Sequence, residues 1–248
     1  MLILAIETTG PYASVALTDG TDYRMLTNGS DYSHLQETVP MVKKLMEQEC
    51  VKPEELSAVA VSRGPGSFTG VRIGMATAKG LAQIWDKPVI CVPTLESFAY
   101  SEPAPDPETV IAPIFDARRS QTYAAAYVRS ADGAVTELVP GAAYDTDSFF
   151  AMLGSVMSEH PELKRVEFFG DGTKAFAEKL EAFGYPCGCA PEKSRFQTAD
   201  RVARLAVKMY TENSITDTYG CEPDYMRLPE AERKLKEKLA AQAAEAAK

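Results

Sequence analysis

The chain has 248 residues, 45% of them apolar and 25% charged, with a formal net charge of −9. That length can bury a sizeable core and fits one or two domains. The acid excess argues against a chain that grips a phosphate backbone by itself, an affinity that comes from Lys and Arg, and two histidines, His34 and His160, cannot make the paired-histidine zinc site of metallohydrolases.

An apolar run over residues 2–6 ends at Glu7, a second alternates through Ala13, Val15 and Leu17 to an Asp19-Gly20 turn, and a third covers residues 23–27. These predict a three-stranded meander. The Glu7-Thr8-Thr9-Gly10 turn inside it reads as a plain hairpin turn or as a polar turn offered to a phosphate. Leu35, Val39, Val42, Leu45 and Met46 keep helical spacing over residues 31–49, with Ser30 or Asp31 as cap, Pro40 as a kink, and His34 exposed or capping near the start.

Residues 57–85 organise the chain. Ala58 to Val61 is an apolar strand, Gly64-Pro65-Gly66 breaks it, and Ser67 stands at the N-cap of a helix running from Phe68 to Trp85. Gly70, Gly74 and Ala78 recur every fourth residue, so they share one face on which another backbone can approach closely, either from this protein's own sheet or from a partner. The N-terminal amides of that helix, with Arg63 and Arg72 nearby, read first as a capped helix and second as an anion site. No Gly-Lys-Ser/Thr follows the glycines, so there is no P-loop, and neither a nucleophile elbow nor a dinucleotide fingerprint occurs.

Residues 88–92 predict a fifth strand and residues 94–100 a short helix. Three prolines in residues 101–108 mark a linker, dividing the chain into domains 1–105 and 106–248. The second half then repeats the meander over residues 110–115, 122–128 and 135–139, with an acid-bearing turn at Asp116 to Ser120. A helix over 146–158, a strand over 166–169, a Gly170-Asp171-Gly172-Thr173 turn opening a helix to Phe183, and a helix over 199–210 follow. The tail, with Leu235 and Leu239, predicts a solvated helix. No apolar run has the roughly 18 residues of a membrane span, and the first residues lack a positive leader region, so a cytoplasmic chain is expected. Cys50, Cys91, Cys187, Cys189 and Cys221, odd in number and without a Cys-x-x-Cys pair, are expected as reduced thiols.

Four stretches together resemble the TsaB (YeaZ) family: Ile6 to Thr9; Arg63 to Gly74, which is Arg-Gly-Pro-Gly-Ser-Phe-Thr-Gly-Val-Arg-Ile-Gly; Asp116 to Arg119 with Tyr123; and Glu222 to Arg227. The resemblance runs from Met1 to about Arg233 and implies an α/β fold of two ribonuclease-H-like domains of the actin, Hsp70 and sugar kinase superfamily. It implies a non-catalytic subunit that stabilises TsaD, the enzyme placing a threonylcarbamoyl group on the tRNA adenosine beside the anticodon. The ATPase TsaE joins that assembly, tRNA is met only indirectly, and the chain alone pairs with itself through the same face. The implied partner interface comprises Leu35, Val39, Val42, Phe68, Thr69, Gly70, Val71, Gly74, Met75 and Ala78. The anion or nucleotide site would use Glu7, Thr8, Thr9, Arg63 and Ser67. TsaD carries a His-x-x-x-His metal motif where this chain has Thr94 and Phe98, so no metal, cofactor or catalytic residue is expected here. The C-terminal segment would pack back on the first domain, and a bulky residue at Gly74 would abolish pairing while leaving the monomer folded. The competing reading is an ATPase or phosphotransferase of the same superfamily.

Overall fold

The computed structural model describes residues 1–28, 33–213 and 220–226. The apolar runs of the first half become β1 (Ile3–Glu7), β2 (Ser14–Thr18), β3 (Tyr23–Thr27), β4 (Ala58–Gly64) and β5 (Val89–Pro93), joined in the order β3-β2-β1-β4-β5. β1 runs antiparallel to β2, with Glu7 opposite Ser14, and parallel to β4, with Ile6 opposite Val61. Both β1 and β4 are covered on both faces, which is why their sequences are apolar without alternation. The crossovers are α1 (His34–Gln48) and α2 (Phe68–Trp85), and α3 (Thr94–Ser97) runs on into a 3₁₀ turn at Phe98–Tyr100. α1 passes Pro40 as one helix. Its expected cap at Ser30 or Asp31 lies outside the described residues, as does the tail with Leu235 and Leu239.

The second half repeats the plan. β6 (Thr109–Asp116), β7 (Gln121–Arg129), β8 (Val135–Asp145), β9 (Arg165–Phe169) and β10 (Cys187–Cys189) join as β8-β7-β6-β9-β10, with the same parallel and antiparallel pairings. Glu7 and Asp116 end the corresponding strands β1 and β6. Gly64 and Gly170, at the ends of β4 and β9, both hold positive φ (110° and 88°), where a side chain would be strained. α4 (Thr146–Glu159) is the crossover, and its Asp145 cap accepts from the Asp147 and Ser148 amides. The helix expected from the 170–173 turn to Phe183 is two pieces, α5 (Gly172–Ala175) and α6 (Ala177–Glu181), divided at Phe176. β10 and α7 (Glu192–Arg195) were not anticipated. α8 (Ala199–Thr211) closes the described helices.

The layers run α1 with α2, first sheet, α8 with α3, second sheet, then α4 with α6. One core lies under α1 and α2 and includes Leu4, Ile6, Val59, Val61 and Leu45. A second lies under α4, with Val110, Ala112, Phe149 and Phe168. The central core joins the halves: Ile3, Ala5 and Ala60 of the first sheet meet Val202 and Ala206 of α8, while Phe98 stacks on Phe115 and Phe169 of the second sheet. α8, late in the chain, therefore packs on the first sheet. Cys91 on β5 and Cys221, 130 residues apart, form a disulfide with Cα atoms 5.7 Å apart. This corrects the expectation of five reduced thiols, since a fold can bring together cysteines whose spacing carries no motif.

Candidate functional site

The first turn of α2 is built by the loop that follows β1. Ser67 caps α2, its hydroxyl accepting from the Gly70 amide at 3.2 Å, while its own amide donates to the Thr9 carbonyl at 2.8 Å. The Thr8 hydroxyl donates to the Gly70 carbonyl at 2.7 Å. A Cβ on Gly70 would run into the Thr8 carbonyl, and one on Gly74 into the Thr8 hydroxyl. Ala78 is fully buried in the core beneath α2. The small-residue column therefore seats α2 on its own β1 loop and sheet, not on a partner. The same burial withdraws Val42, Val71 and Met75 from the expected interface. Spacing identifies which residues share a helix face but not what that face meets.

The exposed members of the expected interface are Leu35 (70% exposed), Val39 (49%) and Phe68 (45%), together with Thr69. Leu35 and Val39 lie one turn apart on α1, which packs beside α2 on the outer face of the first sheet. His34 is buried, its Nε2 3.0 Å from the Gly10 carbonyl, so it braces the loop after β1 instead of lying exposed or capping the helix.

The expected anion site does not assemble as drawn. Glu7 is wholly buried and accepts from the Ser62 hydroxyl and the Thr9 amide, so it fixes the turn instead of facing a ligand. Burial pushes its carboxyl above the usual range against the pull of those bonds. The Thr8 hydroxyl is committed to α2 and the Ser67 amide to the Thr9 carbonyl. The two arginines turn to residues 220–226: Arg63 lies 3.8 Å from Asp224, and the Asp224 amide donates to the Arg63 carbonyl at 2.7 Å. Arg72 donates to the Tyr225 hydroxyl at 2.9 Å and stacks 3.9 Å over Phe68, whose ring lies 5.3 Å from that of Tyr225.

Thr9 and Ser67 do line a cleft of about 650 Å³ between the halves. Its other wall carries Asp116, Arg118, Asp171 and Lys174, with Tyr123, Phe196 and Gln197 at the margin. Asp116 pairs with Arg118 at 3.1 Å, and its amide donates to Asp171 at 3.1 Å. Burial raises the Asp171 carboxyl; the donated amide opposes this and the Asp116 charge adds to it. Sequence reasoning did not single out Asp171, Lys174, Gln197, Asp224 or Tyr225 as site residues. Asp224 and Tyr225 carried a signal, because they lie in the Glu222 to Arg227 stretch, and so did Asp171, within the Gly170 to Thr173 turn. Among the described residues no group of three or more His, Cys, Asp or Glu could hold a metal ion, and no helix is long and apolar enough to cross a membrane.

Two meander-led sheets of identical strand order, with a cleft between them and a helix N-terminus at its edge, define a protein of two ribonuclease-H-like halves. A family model described as TsaD, tRNA N6-adenosine threonylcarbamoyltransferase, matches residues 30–244. The tRNA threonylcarbamoyladenosine biosynthesis protein TsaB of Bacillus subtilis is 33% identical over 235 residues, covering 94% of this chain and 97% of that protein. Escherichia coli TsaB is 36% identical over 133 residues, 54% of this chain and 58% of that protein. YeaZ from Pseudomonas aeruginosa has the same fold, with a TM-score of 0.71 at 23% identity, covering 90% of this chain and 99% of that one. The chain belongs to the TsaB (YeaZ) family.

Proposed function

We propose that the chain serves in tRNA threonylcarbamoyladenosine biosynthesis as a non-catalytic subunit that docks on the catalytic subunit TsaD and stabilises it. The carrying observation is what Thr94 and Phe98 do. These stand where the resemblance puts the metal histidines of TsaD, and here the fold uses both. The Thr94 hydroxyl accepts from the Gly64 amide at 3.1 Å, tying α3 to the end of β4. Phe98 is wholly buried between Phe115, Phe169 and the Arg201 guanidinium, 4.5 Å above its ring. Neither side chain can replace an imidazole as a metal ligand.

In this reading residues 1–105 form the docking half and residues 106–248 the second half. The docking face is Leu35, Val39, Phe68 and Thr69, the same face serves self-pairing, TsaE joins the complex, and tRNA is held by the partner subunits. The test is a reconstituted modification mixture lacking only this component. Adding the chain restores modified tRNA, whereas modification that proceeds equally without it, or by the chain alone, counts against the reading.

The cleft favours a second reading, an ATP-binding enzyme of the same superfamily. Gly170 and Gly172, the glycines of the second half's Gly170-Asp171-Gly172-Thr173 turn, where such an enzyme would hold a phosphate, are instead packed against the Ile114 carbonyl. Calorimetric titration with Mg-ATP separates the two, saturable binding with turnover supporting the enzyme.

A further inference from the structure

We propose that Cys91 and Cys221 form a thiol–disulfide switch that fastens residues 220–226 across the first turn of α2, and that reduction by a dithiol releases this strap from Phe68 and Arg72. The strap has neither helix nor strand. Besides the main chain, the bond from Cys221 to β5 anchors it covalently. Cys221 is fully buried, with its sulfur 3.5 Å from that of Met75 on α2, so the anchor sits beneath the helix the strap crosses.

Met226 packs against the central core and Tyr225 against Phe68, while the polar fastenings are of the kind that holds weakly alone. The Arg63–Asp224 pair spans 3.8 Å between partly exposed side chains, and the Arg72–Tyr225 bond is exposed. The Asp224 amide bond to Arg63 adds one backbone link. The other three cysteines, Cys50, Cys187 and Cys189, are exposed and free, so the pair is chemically separable from them.

In the reduction, one thiolate of the dithiol attacks a sulfur of the pair and the Cys91–Cys221 bond breaks with formation of a mixed disulfide. The second thiol of the reductant then closes its own disulfide. Two electrons and two protons end on Cys91 and Cys221 as thiols. Lifting the strap removes Tyr225 from the Phe68 ring and from Arg72. Because Phe68 belongs to the proposed docking face, the effect on a partner rests on that proposal; the switch itself does not.

The test uses the full chain without a partner, dithiothreitol serving as the dithiol. Denatured in N-ethylmaleimide, the unreduced chain takes three adducts and the reduced chain all five. Native hydrogen exchange at the Asp224 amide quickens by about tenfold or more on reduction as the strap opens. Cys221→Ser exchanges at the fast rate with or without dithiothreitol, and Cys91→Ser breaks the same bond from the other end should the first variant misfold. Five adducts before reduction, or Asp224 exchange that reduction leaves unchanged, overturns the switch. A separate arm measures retention of TsaD by oxidised and reduced chain, expected to differ by about fivefold or more. Equal retention beside a responding strap overturns the link to docking and leaves the switch standing.

Discussion

Gly74 lies beneath the Thr8 hydroxyl, and no side chain fits there without displacing the turn that positions α2. Gly74→Val is therefore expected to destabilise the monomer by about 3 kcal/mol, read as a lower urea midpoint. Loss of partner binding in that variant would report unfolding, the reverse of what the glycine spacing suggests. Glu7 carries a pH signature. A carboxyl raised above its ordinary value of 4.5 in the folded chain holds its proton more tightly there than when unfolded, so its contribution to stability falls as pH rises from 4.5 through the folded-state value. The limiting slope is about 1.4 kcal/mol per pH unit. Arg201 on α8 feels the Glu7 charge, burial having pushed the guanidinium down to about 10. Glu7→Gln keeps an acceptor for the Thr9 amide and offers Ser62 a donor, and is expected to flatten this dependence in urea titrations taken upward from pH 4.5. Parallel curves for the two proteins would contradict the assignment.

At the scale of elements, α1 and α2 divide their residues between an inward set that seats them on the first sheet and an outward apolar set, of which Leu35 and Val39 are exposed and Phe68 is partly covered by Arg72 and Tyr225. Leu35→Asp with Val39→Asp, both on exposed positions, is expected to change monomer stability by no more than about 0.5 kcal/mol. The same pair should weaken pairing with TsaD by about 2 kcal/mol, roughly thirtyfold, in a pull-down titration. Unchanged pairing would remove α1 from the docking face. Most strands and long helices were legible in the sequence because buried strands are continuous apolar runs and α8 alternates polar and apolar faces at helical period. β10 was not legible: three residues, two of them exposed cysteines around a glycine, offer no pattern. The orientation of the glycine column, the burial of His34 and the Cys91–Cys221 pairing also escaped, each depending on contacts made far along the chain. The acid-bearing turns were legible as a pair, but not the cleft they frame, since Lys174 and Gln197 reach it from separate elements.

At the scale of the molecule, the central core draws on both sheets and on α8, so neither half has a complete interior of its own. The chain is accordingly expected to unfold in one transition. Fluorescence of Trp85, the one tryptophan and a first-half residue, should follow the same urea curve as far-ultraviolet circular dichroism. Two separated curves would mean that the halves are independent. Arg201 contributes to this junction: buried on α8, it donates to the Phe196 and Ser194 carbonyls and lies over Phe98 and Phe169. Arg201→Ala is expected to cost about 3 kcal/mol or more, lowering the midpoint of that single transition.

The placement of α8 also sets an order of events during synthesis. All strands of the first sheet have been synthesised once Pro93 is made, yet the helix that covers their inner face ends at Thr211. At ordinary elongation rates the nascent chain carries that apolar face uncovered for on the order of 5–20 s. A ribosome stalled between those points therefore presents a sticky, half-dressed sheet to whatever is nearby, and residues 1–105 made alone should remain in that condition and precipitate.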